Sequence, residues 1–189
     1  MSTTRFNPET LDPAWVGDVI RFWFEEMSES EWFAKSDAID VQIRDRFLVL
    51  HEQLVAQDGL VVATSRLALA IVIVLDQFSR NMFRDHSRTF AADSIARRIS
   101  RSAIELGFDI AMTRQQRMFL YLPFEHSEDA ADQQLSLGLI GHLGDKEWTR
   151  YAMEHKAIID RFGRFPHRNA VLARPSSADE MEFLKDPEK

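Results

Sequence analysis

The feature that most constrains this chain is a nine-residue apolar run, Leu67-Ala-Leu-Ala-Ile-Val-Ile-Val-Leu75, that continues without a turn residue into Asp76-Gln-Phe-Ser-Arg-Asn-Met-Phe83. A segment that is apolar on every side must be surrounded by the rest of the fold. It falls far short of the roughly 20 residues that a membrane span requires, so the surroundings are protein and not lipid. Its β-branched residues would suit a buried strand. A cap at Thr64 or Ser65, the lack of a strand-like partner nearby and the unbroken continuation select a helix instead. That helix leads directly from the most apolar stretch of the chain to Asp76 and Arg80, one turn apart.

The remaining sequence divides at its 7 glycines and 6 prolines, many of which stand where helices should begin or end. Asp12-Pro13 reads as a cap and first position for a helix with Trp15, Val19, Phe22 and Trp23 on one stripe, reaching about Met27. A turn over Ser28 to Lys35 holds Trp32 and Phe33. Ile39, Ile43, Phe47, Leu50 and Leu54 set out a second helix from Asp37 to Gln57, closed by Gly59. The same reasoning predicts a helix from Arg88 to Leu106 stopped by Gly107, and one opened by Thr113 and ended by Pro123. A further helix is capped by Ser127, and another spans Lys146 to Phe162 before Gly163. After an irregular stretch, Ser177-Ala-Asp-Glu180 forms a capping box for a short last helix. The expectation is one all-α domain over residues 1–189, with seven or eight helices joined by short loops. No linker or clean repeat interrupts it; the one echo is Phe78-Ser-Arg80-Asn81 against Phe165-Pro-His-Arg168-Asn169.

Composition removes whole classes of chemistry. The 189 residues include no cysteine, which excludes disulfides, zinc–thiolate sites, iron–sulfur clusters and a cysteine nucleophile. With 30 acidic and 23 basic residues the net charge is −7, the wrong sign for holding nucleic acid or an anionic membrane. Met1 to Thr10 has no apolar core of a signal peptide, so a cytoplasmic location is expected. There is no Gly-rich phosphate loop, nucleophile elbow or dinucleotide fingerprint. Glu125, His126, Asp129, His155 and His167 are metal-ligand types, but none stands at a recognised ligand spacing; neither a metal nor a cofactor is expected.

Three stretches place polar residues where an ordinary helical domain would not. In the first, Asp76 and Arg80 form either an exposed i,i+4 pair or a buried one that must be matched charge for charge. In the second, Phe119-Leu-Tyr-Leu-Pro-Phe-Glu-His-Ser-Glu-Asp129, helix capping and dipole account for Ser127, Glu128 and Asp129 but less well for Glu125 and His126. The third, Arg161 to Arg174, holds four arginines, one histidine and no acid, in a chain with 18 Arg against 5 Lys. Arginine suits planar, bidentate recognition of carboxylate or phosphate. His155, on the apolar stripe of its helix, reads first as a hydrogen-bonded core residue.

These stretches, together with Val19-Ile-Arg-Phe-Trp-Phe24 and Ser177-Ala-Asp-Glu-Met-Glu-Phe-Leu184, closely resemble the signature segments of domain-of-unknown-function family 924. The resemblance runs over nearly the whole chain. It implies a tetratricopeptide-like right-handed superhelix of antiparallel helix pairs, and it implies no activity. The tetratricopeptide consensus and its 34-residue period are absent here, so peptide binding does not transfer from those repeats.

Asp76, Arg80, Asn81, Glu125, His126, Asp129, Arg164, His167, Arg168 and Asn169 are therefore the candidate site, for a small anionic ligand or a peptide. Two other readings compete with it. In one, the chain is a metal-independent hydrolase or lyase with Glu125 or His126 as acid/base and Arg164 and Arg168 holding the substrate's anion. In the other, the cluster is purely a structural ion network. The deciding geometry is whether Glu125, His126, Arg164 and Arg168 line one open pocket or close on each other.

Overall fold

The structure is a computed structural model that describes residues 12–57 and 59–185; the leader-free reading of residues 1–10 lies outside them. The described residues form nine α-helical segments, two of them joined in one rod, and no strand. At the centre lies one rod made of α3 (Ser65–Val72), a π-helical turn (Ile73–Phe78) and α4 (Ser79–Met82). Thr64 caps it by accepting from the Leu67 N–H, as the sequence suggests. Every residue from Ala68 to Ser79 is buried. Around the rod pack α1 (Ala14–Arg21, extended by a π-helical turn over Phe22–Glu26), α2 (Asp37–Ala56), α5 (Asp93–Glu105) and α6 (Arg114–Glu125). α7 (Ala130–Gly141) and α8 (Lys146–Phe162) follow as a packed pair, and the short α9 (Ala178–Phe183) ends the fold.

Several boundaries differ from the expected ones, each for a local reason. The first helix begins at Ala14; the Asp12 carboxylate accepts from the Thr64 hydroxyl at 2.6 Å instead of capping. α2 ends when Gln57 turns extended, before Gly59 is reached. The predicted start at Arg88 is a 3-10 turn, Ser87–Phe90, capped by His86, and regular helix resumes only at Asp93. Pro123 does not end α6. It sits inside the last turn, where it has no N–H to give to the carbonyl four residues back but its side chain is buried, and the helix runs on to Glu125. Ser127 does not cap α7. Asp129 stands next to the helix and accepts from the Ala131 and Asp132 N–H groups, while the Ser127 hydroxyl donates to Asp132. The glycine stops hold at Gly107 and Gly163, both left-handed, and Ser177 and Glu180 form their capping box.

The core is organised by aromatic rings. Phe78 stacks on Phe47 at 4.7 Å and meets Phe22 and Trp23 edge-on. Trp23 meets Phe119 at 5.3 Å, and Phe119 meets Trp32 at 4.9 Å. The Trp32 indole N–H donates to the Trp23 carbonyl at 2.8 Å, fixing the otherwise short 3-10 segment Glu29–Glu31 to α1. Each such pair adds about 0.5–1.5 kcal/mol beyond its area burial. The chain of rings thus runs from the centre of the molecule to Trp32, which forms a wall of the cleft described next. Phe78→Ala should cost about 3–5 kcal/mol in denaturant unfolding, because three rings close around a fully buried side chain that nothing can replace. A cost below about 1 kcal/mol would mean the core is not built this way.

Candidate functional site

The π-helical turn exposes the physical problem that the site answers. Its wider winding keeps Ile73 through Phe78 all buried, so the Asp76 carboxylate has no access to solvent. Gln77 donates to it at 2.6 Å, Arg80 lies 3.1 Å away, and His126 Nδ1 is 2.9 Å from both carboxylate oxygens. Burial alone would raise the Asp76 pKa, but the Arg80 guanidinium and His126 hold it down at about 2. An ionised carboxylate can only accept, so the His126 proton is on Nδ1. Its Nε2 makes no hydrogen bond with the described residues. Burial and Arg80 keep the ring neutral by lowering its pKa, which leaves Nε2 as an acceptor.

Arg80 continues the network. It donates to the Asp76 carbonyl at 2.6 Å and forms a bidentate pair with Asp93 on α5, with both N···O distances 3.1 Å. Arg168, at the end of the 3-10 turn Pro166–Arg168, approaches the same Asp93 at 4.0 Å. It donates to the His126 carbonyl at 3.0 Å and lies between the Phe90 and Phe165 rings. Its Nε is buried with no partner. Burial and the nearby Arg80 lower the Arg168 pKa to about 10.

Glu125 ends α6 with its carboxyl buried. Burial and the Asp76 charge raise its pKa to about 8, so it is a protonated acid at neutral pH. His155 Nδ1 lies 3.3 Å from Glu125 Oε1, but it donates to the Tyr151 carbonyl at 2.9 Å, and burial keeps this ring neutral too. The contact joins two neutral groups and is not an ion pair.

Two cavities meet at these histidines. One, about 520 Å³, is walled by Trp32, Phe33, Leu122, Trp148 and Tyr151, with Glu125, His126 and His155 also lining it. The other, about 420 Å³, is basic: Lys35, Arg80, Arg84, His167 and Arg168 line it, again with His126 and His155. Glu125, His126 and Arg168 therefore line open space, and Asp76 stands behind them. Of the remaining candidates, Arg80 and His167 also line the basic cavity, and the other four lie elsewhere. Arg164 makes a bidentate pair with Glu180 and donates to the Pro175 carbonyl. Asn81 donates to Asp40, Asp129 caps α7, and Asn169 bonds Ser176 and Arg174. Among the described residues neither Asp76 nor Glu125 pairs directly with Arg164 or Arg168; the three signature stretches do meet, through the ring and carbonyl of His126. Sequence reasoning missed Asp93, which fell unremarked inside the predicted Arg88–Leu106 helix, and gave the cleft walls Trp148 and Tyr151 no role. Among the described residues no group of three or more potential ligands could hold a metal ion, and no helix is long and apolar enough to cross a membrane.

Comparison with known proteins adds identity without a role. The family described as "Bacterial protein of unknown function (DUF924)" matches residues 19–188, and the chain belongs to it. A solved structure of a protein of unknown function, ATU0120 from Agrobacterium tumefaciens, is 38% identical. Its TM-score is 0.84, with 92% of this chain and 98% of that one covered. No curated protein matches.

The buried acid gives a test of the site's electrostatics. Between pH 4.5, where an ordinary glutamate titrates, and about 8, the native state carries a proton that the unfolded chain has lost, so stability falls as pH rises through this window. Glu125→Gln removes that titration. The variant should gain on the wild type from pH 5 to pH 8 by up to about 4 kcal/mol in denaturant unfolding. A pH-independent difference would place Glu125 in water.

Proposed function

We propose that this member of a bacterial family of unknown function binds a small amphiphilic anion, with its apolar or aromatic body between Trp32, Trp148 and Tyr151 and its oxyanion at Arg168. One observation carries the reading: Arg168 is a buried guanidinium without a carboxylate of its own. A structural ion network matches its cations, and most arginines here are matched. Arg164 has Glu180, Arg174 has Glu128, Arg84 has Asp40 and Arg80 has Asp93. Arg168 has only the Asp93 already held by Arg80, whose Oδ2 it approaches at 4.0 Å, and it retains an unpartnered Nε. With Arg80 it balances the charges of Asp76 and Asp93, but without a close carboxylate its guanidinium keeps hydrogen-bonding capacity that a ligand anion would use. Both cavities fall in the size range of small-molecule sites. The same reading places the protein in the cytoplasm, which suits a cysteine-free chain, and takes its helices to follow a tetratricopeptide-like course.

The test uses 4-phenylbutyrate, with 4-phenylbutanol and butyrate as controls lacking the charge or the ring. At a hundredfold excess over Kd, binding to the native state alone adds about 2.7 kcal/mol, which is about 5–10 °C in Tm for a domain of this size. The anion should produce this shift and the two controls should not. Arg168→Lys keeps the charge but loses the fork and should abolish most of the shift, whereas Arg164→Lys should keep it. Equal shifts in the wild type and Arg168→Lys would make the arginine scaffold.

Arg168→Met offers a second check. Without ligand it should lose up to about 3–5 kcal/mol in denaturant unfolding, because Arg80 is then the one guanidinium left to the buried carboxylates of Asp76 and Asp93. An unchanged stability would show that Arg168 neutralises neither acid.

A further inference from the structure

We infer that His126, oriented by Asp76, is a general base for water, and that the cleft hydrolyses esters joining an aromatic or alkyl alcohol to a short dicarboxylic acid. This rests on the binding reading above and adds a reaction to it. His126 is among the residues lining both the apolar and the basic cavity. A ligand that fills both must therefore present its midpoint to this ring. Asp76 fixes the ring through Nδ1, so the nitrogen left for the cleft is Nε2, and it has no protein partner to compete for it. Such a carboxylate–imidazole arrangement sets both tautomer and aim.

The two cavities receive the two ends of the substrate. The basic cavity, about 420 Å³, is several times larger than one oxyanion, so it accommodates a carboxylate on a short chain. The group at His126 is then the junction between that chain and the apolar body, an ester carbonyl. Glu125, the adjacent residue, faces the apolar side, where the departing alcohol oxygen would lie, and as a neutral carboxylic acid it can donate. Ser30 also lines this side, but it is exposed and bonded to Ser28, which makes it a poor nucleophile. Water is the attacking group.

The reaction balances without a cofactor. Nε2 of His126 takes a proton from water as the water oxygen bonds to the ester carbonyl carbon. The tetrahedral adduct collapses, breaking the bond to the alcohol oxygen, and that oxygen receives the Glu125 proton. The imidazolium then returns its proton to Glu125. One ester and one water become one carboxylic acid and one alcohol.

Monobenzyl succinate is the probe, with release of benzyl alcohol as the readout. Benzyl butyrate removes the distal carboxylate, and benzyl phosphate places the charge on the scissile group. Wild type should hydrolyse monobenzyl succinate at least tenfold better in kcat/KM than either. His126→Gln should lose about 100-fold or more in kcat with KM little changed, the size expected for a general base. Asp76→Asn should show the same split; because Asp76 is fully buried and this variant can fail to fold, imidazole rescue of a folded His126→Gly variant is the second measurement. Loss of folding alone would not be rescued. No turnover by wild type, turnover unchanged in His126→Gln, or turnover of benzyl phosphate in place of the succinate ester would each overturn the inference. Stabilisation by 4-phenylbutyrate reports the binding reading separately. Stabilisation without turnover leaves binding and ends the hydrolase; neither ends both.

Discussion

Placing an ionised carboxylate in the middle of the most apolar rod of the molecule costs several kcal/mol unless charge and hydrogen bonds surround it. The arrangement around Asp76 can be read as the answer to that cost. Gln77 comes from the same turn, Arg80 from the next, and His126 from the far end of α6. Because His126 must reach Asp76, α6 has to end beside the central rod. Arg80 also pairs with Asp93 in the first turn of α5, which holds that helix beside the rod. Three helices are thus fixed relative to one another by a single buried charge, and the aromatic rings fill the space that this geometry leaves.

Arg168 is the exception to the matching. Its sandwich between Phe90 and Phe165 gives it cation–π stabilisation of about 1–2 kcal/mol. That does not replace a carboxylate. Its charge is needed against Asp76 and Asp93, yet its guanidinium stands where the basic cavity opens, with Nε unpartnered. The contrast with Arg164, matched at both nitrogens by Glu180, separates the two in a way that their shared charge cannot.

Much of the fold was legible because its signals are local. Thr64, Thr113 and Ser177 cap where their spacing says, and α8 spans the residues that its stripe and Gly163 mark out. Ser127 and Pro123 misled because a cap and a proline each have two uses; a competing cap at Asp129 and a buried final turn decided between them. Asp76, Glu125, His126 and Arg168 stood out as polar residues in apolar company, and they are the ones now grouped around the cleft. Arg164, Asn169 and Asp129 were equally prominent in sequence yet serve locally. Nothing in the chain's order distinguishes an arginine whose partner lies 16 residues ahead in α9 from one with no partner. Asp93 was invisible for another reason: it fell inside the predicted Arg88–Leu106 helix, and only the fold sets Arg80 opposite it.

The segment from Gly163 to Ser177 contains little regular structure, yet it is stapled throughout. Arg164 ties it to α9, Arg174 ties it to Glu128 and to its own Phe165 carbonyl, and Asn169 bridges Arg174 to Ser176. The guanidinium of Arg168 is therefore held in place by folding and not by any later event. For a ligand entering the cleft, no loop has to be ordered first, and the entropy that loop ordering would remove is not charged against affinity. Capture should then proceed at the rate of encounter, and differences in affinity among related ligands should appear in how slowly they leave.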